Sequence, residues 1–100
     1  MAFQVLATEI ANEDLGTLVR FIVQENSSAA ERFGSELLEK IRLLQEHPLI
    51  GRMVPERSDP GLREIIHRPY RIVCRVREQH KTVEVLRFWH GARGEPELSR

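Results

Sequence analysis

Cys74 is the only cysteine in this 100-residue chain. An internal disulfide framework is therefore excluded, and a reducing, cytoplasmic setting is the expectation. No apolar run approaches the roughly 18 residues of a membrane span. The opening stretch, residues 1–15, has neither a basic segment nor a long apolar one, so neither a signal peptide nor a membrane partner is expected. The four histidines lack helical His-x-x-x-His or similar spacing, and with one cysteine this leaves no metal site. Gly51 and Gly61 fit neither a phosphate loop nor a dinucleotide fingerprint. No serine stands in a nucleophile-elbow motif. No cofactor is therefore expected, and hydrolase and oxidoreductase readings find no support in these motifs. Lysine is scarce too: Lys40 and Lys81 are the only two among fifteen basic residues.

What is present is 41% hydrophobic and 30% charged, the balance of one small globular domain. Residues 1–94 read as that domain and residues 95–100 as a frayed, flexible tail. The net charge of zero hides an asymmetry: residues 1–50 sum to −4 and residues 51–100 to +4. The basic residues of the second half are nearly all arginine, the side chain suited to planar contact with phosphates and carboxylates. They point either to a polyanion or an acidic partner protein, or to an ordinary solvated sheet face.

Phe3, Val5 and Ala7 alternate with Gln4 and Leu6, which predicts a first strand over 3–7. Thr8 can cap a following helix, whose apolar stripe is Ala11, Leu15, Leu18 and Ile22, with Val19 beside it. Gly16 marks a place where a second helix could pack closely. The polar stretch 25–28 interrupts the pattern, and Ser28 with Glu31 reads as a capping box. Ala30, Phe33, Leu37, Ile41 and Leu44, joined by Leu38, form the second stripe, with Glu36 and Lys40 spaced to pair. Pro48 stops this helix near His47. Residues 48–61 hold three prolines and two glycines and read as a long loop. Leu62–His67, Tyr70–Arg77 and Thr82–Trp89 read as strands joined by short turns, hence antiparallel. The expected fold class is α+β, in the order β-α-α-β-β-β, with a helical hairpin covering one face of a small antiparallel sheet.

Alternation sorts the side chains. Tyr70, Ile72, Cys74 and Val76 should face the helices, while Arg71, Arg75 and Arg77 line the other face beside Val73. In the last strand neither alternating set is cleanly polar, so it should be central and partly buried on both sides. Arg87 in that run needs a partner, for which Glu64 or Glu84 is the candidate, or else a binding or catalytic role. His47 at a helix end and His80 in a turn read as bystanders, and His67 gives little indication. His90 stands apart, between Arg87 and Arg93 and beside Gly91. A histidine among guanidinium groups is equipped for acid–base work on a phosphodiester, or simply to hydrogen-bond a partner.

The run from Leu62 to Val73, with Arg63-Glu64 ahead of Tyr70-Arg71-Ile72-Val73, resembles the middle-strand motif of the RelE/ParE toxin superfamily. The run from Val83 to Arg93, with an embedded Arg87, then His90-Gly91 and a final Arg93, resembles its closing strand. His47-Pro48-Leu49-Ile50-Gly51-Arg52 is similar to its helix-to-loop junction. The resemblance spans about residues 3–93. It implies the toxin half of a bacterial type II toxin–antitoxin pair, bound by a cognate antitoxin with an acidic, amphipathic tail. Members divide by target. RelE-like members cleave mRNA in the ribosomal A site without a metal, which here would fall to His90 with Arg71 and Arg87 or Arg93. ParE-like members inhibit DNA gyrase. The thin lysine content and the His-Gly-Ala-Arg ending are more similar to ParE. Arg63, Arg71, Arg75, Arg77, Arg87 and Arg93 would be the binding residues. A module that only binds its partner is the third reading.

Overall fold

The computed structural model describes residues 2–98. Strand β1 (Gln4–Ala7) leads into helix α1 (Glu9–Glu25) and helix α2 (Ser27–Glu46). Strands β2 (Arg52–Met53), β3 (Leu62–His67), β4 (Tyr70–Arg77) and β5 (Thr82–His90) follow, then a 3₁₀ turn at Gly91–Arg93. The helical hairpin lies on one face of a five-stranded sheet of order β1-β5-β4-β3-β2. This is the α+β arrangement that the sequence pattern predicts. None of the described helices is long and apolar enough to cross a membrane.

The sheet departs from the expectation in two ways. It is mixed, because β1 pairs with β5 in parallel, Val5 opposite Val83. The helical hairpin carries the chain from β1 to β2 at the far edge, and three antiparallel strands then bring β5 back beside β1; alternation within a strand carries no information about direction. The expected loop 48–61 also contains β2, which pairs with β3 through Arg52 opposite Glu64. Gly51 allows that approach: a Cβ there would stand 2.6 Å from the Glu64 carbonyl oxygen.

Thr8 caps α1 as predicted, accepting from the Ala11 N–H. The hairpin connection is tighter than the polar stretch suggests, because Asn26 alone separates the helices. Its N–H donates to the Ile22 carbonyl and its side chain accepts from the Ala29 N–H, closing one helix and opening the next. The expected Ser28–Glu31 box is therefore replaced by an Asn cap two residues earlier. Gly16 meets no second helix; only the Arg20 guanidinium lies near its absent Cβ. Val19 and Leu38, expected in the stripes, are exposed at their edges.

Leu18, Phe33, Leu37 and Leu44 pack on Tyr70, Ile72, Cys74, Val76, Val83, Val85 and Phe88. The two faces of β5 make sense through an irregularity. Val85 pairs with Cys74 and Arg87 with Val73, so Leu86 is the extra residue of a bulge. Before it Val83 and Val85 face the helices; after it Phe88 and His90 do. The bulge turns Leu86, Arg87 and Trp89 toward the opposite face, which is why neither alternating set reads as polar. Its backbone is tied to α1: the Thr8 hydroxyl donates to the Leu86 carbonyl, and the Asp14 carboxylate accepts from the Phe88 N–H.

A second, smaller cluster of Val54, Leu62 and Val73, with Leu86 and Leu98, sits on the face away from the helices. The stretch expected to fray lies against this face as far as it is described. Pro96 is buried, Leu98 joins the cluster, and the Glu97 carbonyl accepts from Arg87. Residues 99–100 of that expected tail lie outside the described residues.

Candidate functional site

On the sheet face away from the helices, each expected binding arginine has a partner within the chain. The Glu64 side chain is fully buried and accepts from Arg52 and from Arg71, at 2.7 Å each. Arg71 also meets the Glu56 carboxylate at 2.8 Å and the Gly94 carbonyl at 3.0 Å, which leaves its side chain 11% exposed. Arg75 pairs with Asp59 at 2.7 Å and Arg77 with Glu84 at 3.2 Å. Arg63, on the other side of β3, donates to the Pro60 and Gly51 carbonyls and so holds the loop. The bond from Arg71 holds the Glu56 carboxyl below its ordinary range, and the bond from Arg75 does the same for Asp59. Glu56 in turn keeps Arg71 firmly protonated.

Arg87 finds neither Glu64 nor Glu84. It makes a two-pronged contact with Asp14 of α1, at 2.8 and 3.0 Å. Its charge is held by that contact above all. Alternation within β5 could not show this partner, because it comes from a helix 73 residues away. Arg87 and Arg93 both stack on Trp89, 4.9 and 3.8 Å from the ring centroid. The Trp89 N–H donates to the Gly94 carbonyl that also receives Arg71. This face is a cross-linked charge lattice in which the loop 54–61 supplies two of the carboxylates.

The other face carries a cleft of about 660 Å³, open between α1, α2 and the Arg68-Pro69 turn. Leu18, Phe21, Phe33, Tyr70 and Phe88 give it an apolar wall, and Asp14, Arg32, Glu36, His67, Arg68 and His90 line its polar side. His90 points here because it pairs with Tyr70 in the ladder, and the two rings meet edge to face at 5.2 Å. His90 Nδ1 accepts from the Ala92 N–H, so in the neutral ring the proton sits on Nε2. Burial pushes the Tyr70 hydroxyl above its ordinary value and the Cys74 thiol up to about 12, so neither is a ready nucleophile.

The residues expected to act together are thus divided. His90 stands on the helix side, while Arg71 and Arg87 stand on the opposite side, each with a carboxylate in hand. Arg93 lines the cleft, but its guanidinium lies over Trp89. Sequence reasoning missed His67 and Lys40. The expected Glu36–Lys40 pair is not formed; Lys40 Nζ lies 2.7 Å from His67 Nδ1, and Glu36 Oε1 lies 3.9 Å from His67 Nε2. Strand alternation alone gave the signal, since His67 opposes Tyr70 and must face the helices.

Residues 5–94 match the family described as ParE toxin of type II toxin-antitoxin system, parDE. The chain belongs to this ParE toxin family. Among solved structures it is similar to a chain of the chromosomal ParDE TA system from P. aeruginosa. That pair has 23% identity and a TM-score of 0.66, covering 89% of this chain and 96% of the other. It is also similar to a chain of the toxin–antitoxin complex RelBE2 from Mycobacterium tuberculosis, at 27% identity and TM-score 0.58, covering 90% and 99%. A double-mutant form of the E. coli toxin RelE in the free state shares 23% identity and TM-score 0.64, covering 95% and 90%. A search of curated proteins finds no match. As a member of the family, the chain is a toxin of a type II toxin–antitoxin system.

Proposed function

We propose that this toxin is a ParE-like inhibitor of DNA gyrase, acts in the cytoplasm, and is neutralised by a cognate antitoxin. The observation that carries the choice over mRNA cleavage is the separation of His90 from Arg71 and Arg87 by the thickness of the sheet. Metal-free RNA cleavage needs an acid–base group and phosphate-binding cations around one phosphodiester. Here the imidazole lies on one face, and the best-placed guanidinium groups lie on the other, bound to Glu56, Glu64 and Asp14. A phosphate would have to displace those carboxylates to reach the arginines. The antitoxin partner is supported by the family, and by the similar ParDE and RelBE2 systems.

The test is a pair of assays on the purified chain. Supercoiling by DNA gyrase should be inhibited, with gyrase trapped on cleaved DNA, while ribosome-bound mRNA stays whole. His90→Gln should leave gyrase inhibition largely in place. Codon-specific cuts in A-site mRNA that vanish with His90→Gln would overturn the proposal in favour of a RelE-like endoribonuclease.

A further inference from the structure

The helix-side cleft combines three features that the fold itself does not use. The first is an aromatic rim. Phe21 lines the cleft and is 59% exposed. An aromatic face left in water at the mouth of a cleft is a platform on which another flat ring can stack. At about 660 Å³ the space lies within the range of small-ligand sites and far exceeds one inorganic anion.

The second is a pair of uncommitted cations. Arg32 on α2 and Arg68 before Pro69 line the cleft, both exposed, and neither has a carboxylate partner among the described residues. Arg71, Arg75, Arg77 and Arg87 differ, since carboxylates of the chain itself satisfy them. Two guanidinium groups on separate elements suit an anion of more than one charge, and their planar forks match phosphate oxygens. His90 lines the same cleft as a neutral donor, its Nδ1 taken by the Ala92 N–H and its proton on Nε2. The carboxylates on the cleft are Asp14, which Arg87 holds, and Glu36.

The third is a donor with no acceptor. Lys40 Nζ lies 2.7 Å from His67 Nδ1. An ammonium group can only donate, so Nδ1 accepts and the ring proton sits on Nε2. His67 is 5% exposed and lines the cleft, and its Nε2 has no hydrogen-bond partner among the described residues. The Glu36 carboxylate, at 3.9 Å, is beyond hydrogen-bond reach. A buried donor left unpaired is uncommon in native interiors. Each feature asks for one part of a ligand: a flat ring for Phe21, an acceptor on the edge of that ring for His67, and a phosphate for the two arginines. A plain phenyl ring lacks the acceptor, and a carboxylate is met by one arginine alone. A nucleobase joined to a phosphate has all three parts.

We propose that this cleft binds a nucleoside monophosphate, with the base stacked at Phe21, a ring acceptor taking the His67 Nε2–H, and the phosphate between Arg32 and Arg68. Lys40 is the positioning residue that fixes the His67 tautomer. The same chemistry is offered by a free nucleotide and by the terminal nucleotide of a nucleic-acid strand. The inference does not rest on the gyrase reading.

The experiment titrates the full chain with AMP, GMP, CMP and UMP and follows binding by NMR. At least one should bind saturably, shifting the His67 imidazole N–H, the Phe21 ring and the amides of the cleft. Arg32→Gln and Arg68→Gln should each weaken binding by about tenfold or more, as expected for hydrogen bonds to a charged group. Phe21→Ala should weaken it by about fivefold or more, as expected for a lost base stack. All three positions are exposed, so the variants should keep the fold. Arg42→Gln, on the far part of α2 and paired with Glu39, should leave binding unchanged. No saturable shifts at millimolar nucleotide, shifts confined to the outer face, or undiminished binding by the cleft variants would each overturn the proposal. So would inorganic phosphate or the unphosphorylated nucleosides binding as tightly as the nucleotides, because the cleft would then read only one part of the ligand. A short 5′-phosphorylated oligonucleotide separates the sources: binding tighter than the mononucleotide supports a strand end, and weaker or equal binding supports the free nucleotide. Gyrase plays no part in this assay, so failure here is separable from failure of the gyrase reading.

Discussion

Glu64 is the most demanding position in the molecule, and its removal gives a sharp test of how the arginine face is held. Its carboxylate has no solvent contact and lies between Arg52 and Arg71. Glu64→Ala leaves both guanidinium groups without that anion, but the two losses differ. The Arg52 side chain is 57% exposed and can be rehydrated, so its share should be at most about 1 kcal/mol. Arg71 is largely buried, and breaking such a pair from one side typically costs about 3–5 kcal/mol. Glu56 and the Gly94 carbonyl still hold Arg71, which places the total toward the lower end, about 3 kcal/mol. For a domain of this size that lowers the melting temperature by about 12–24 °C. Calorimetry and urea unfolding measure it directly. The double variant Glu64→Leu, Arg71→Met removes charge and partner together, and should recover most of the loss, because a buried pair exchanged for apolar groups is often neutral. A Glu64→Ala protein within about 1 kcal/mol of the parent would refute the reasoning. So would a double variant no better than the single.

Other expected outcomes follow from the same contacts. Leu37 is buried under the hairpin, so Leu37→Ala should cost about 2–5 kcal/mol in urea unfolding with an unchanged slope. His67 has a lowered folded-state pKa, so the unfolded chain takes up its proton first. Stability should hold above about pH 6.5 and fall as the pH drops below it, and His67→Phe should flatten that part of the profile. Asp14→Ala strips Arg87 of its carboxylate and the Phe88 N–H of its acceptor; the melting temperature should fall by several degrees, and hydrogen exchange at Phe88 should quicken.

The sequence by itself determined the elements and the covered face. Period-3.6 stripes place Leu18, Phe33 and Leu37 in the core, and period-2 alternation places Ile72, Cys74 and Val76 opposite them. Thr8 and Pro48 mark helix ends because caps and the residue before proline act locally. The cluster of family motifs was legible for the same reason, as contiguous runs of sequence. Tertiary structure alone decided what depends on distant partners. The parallel placement of β1 follows from the path of the chain over two helices to the far edge and back through three strands, which alternation cannot sense. The bulge at Leu86 reverses the phase of β5, so Arg87 leaves the helix-side face of Val83 and Val85 and His90 enters it. The arginines looked available because charge pattern records sign but not pairing; Glu56, Asp59, Glu64 and Asp14 reach them only through the fold. His67 said little as a residue before Arg-Pro; only packing buries one of its ring nitrogens and gives the other to Lys40.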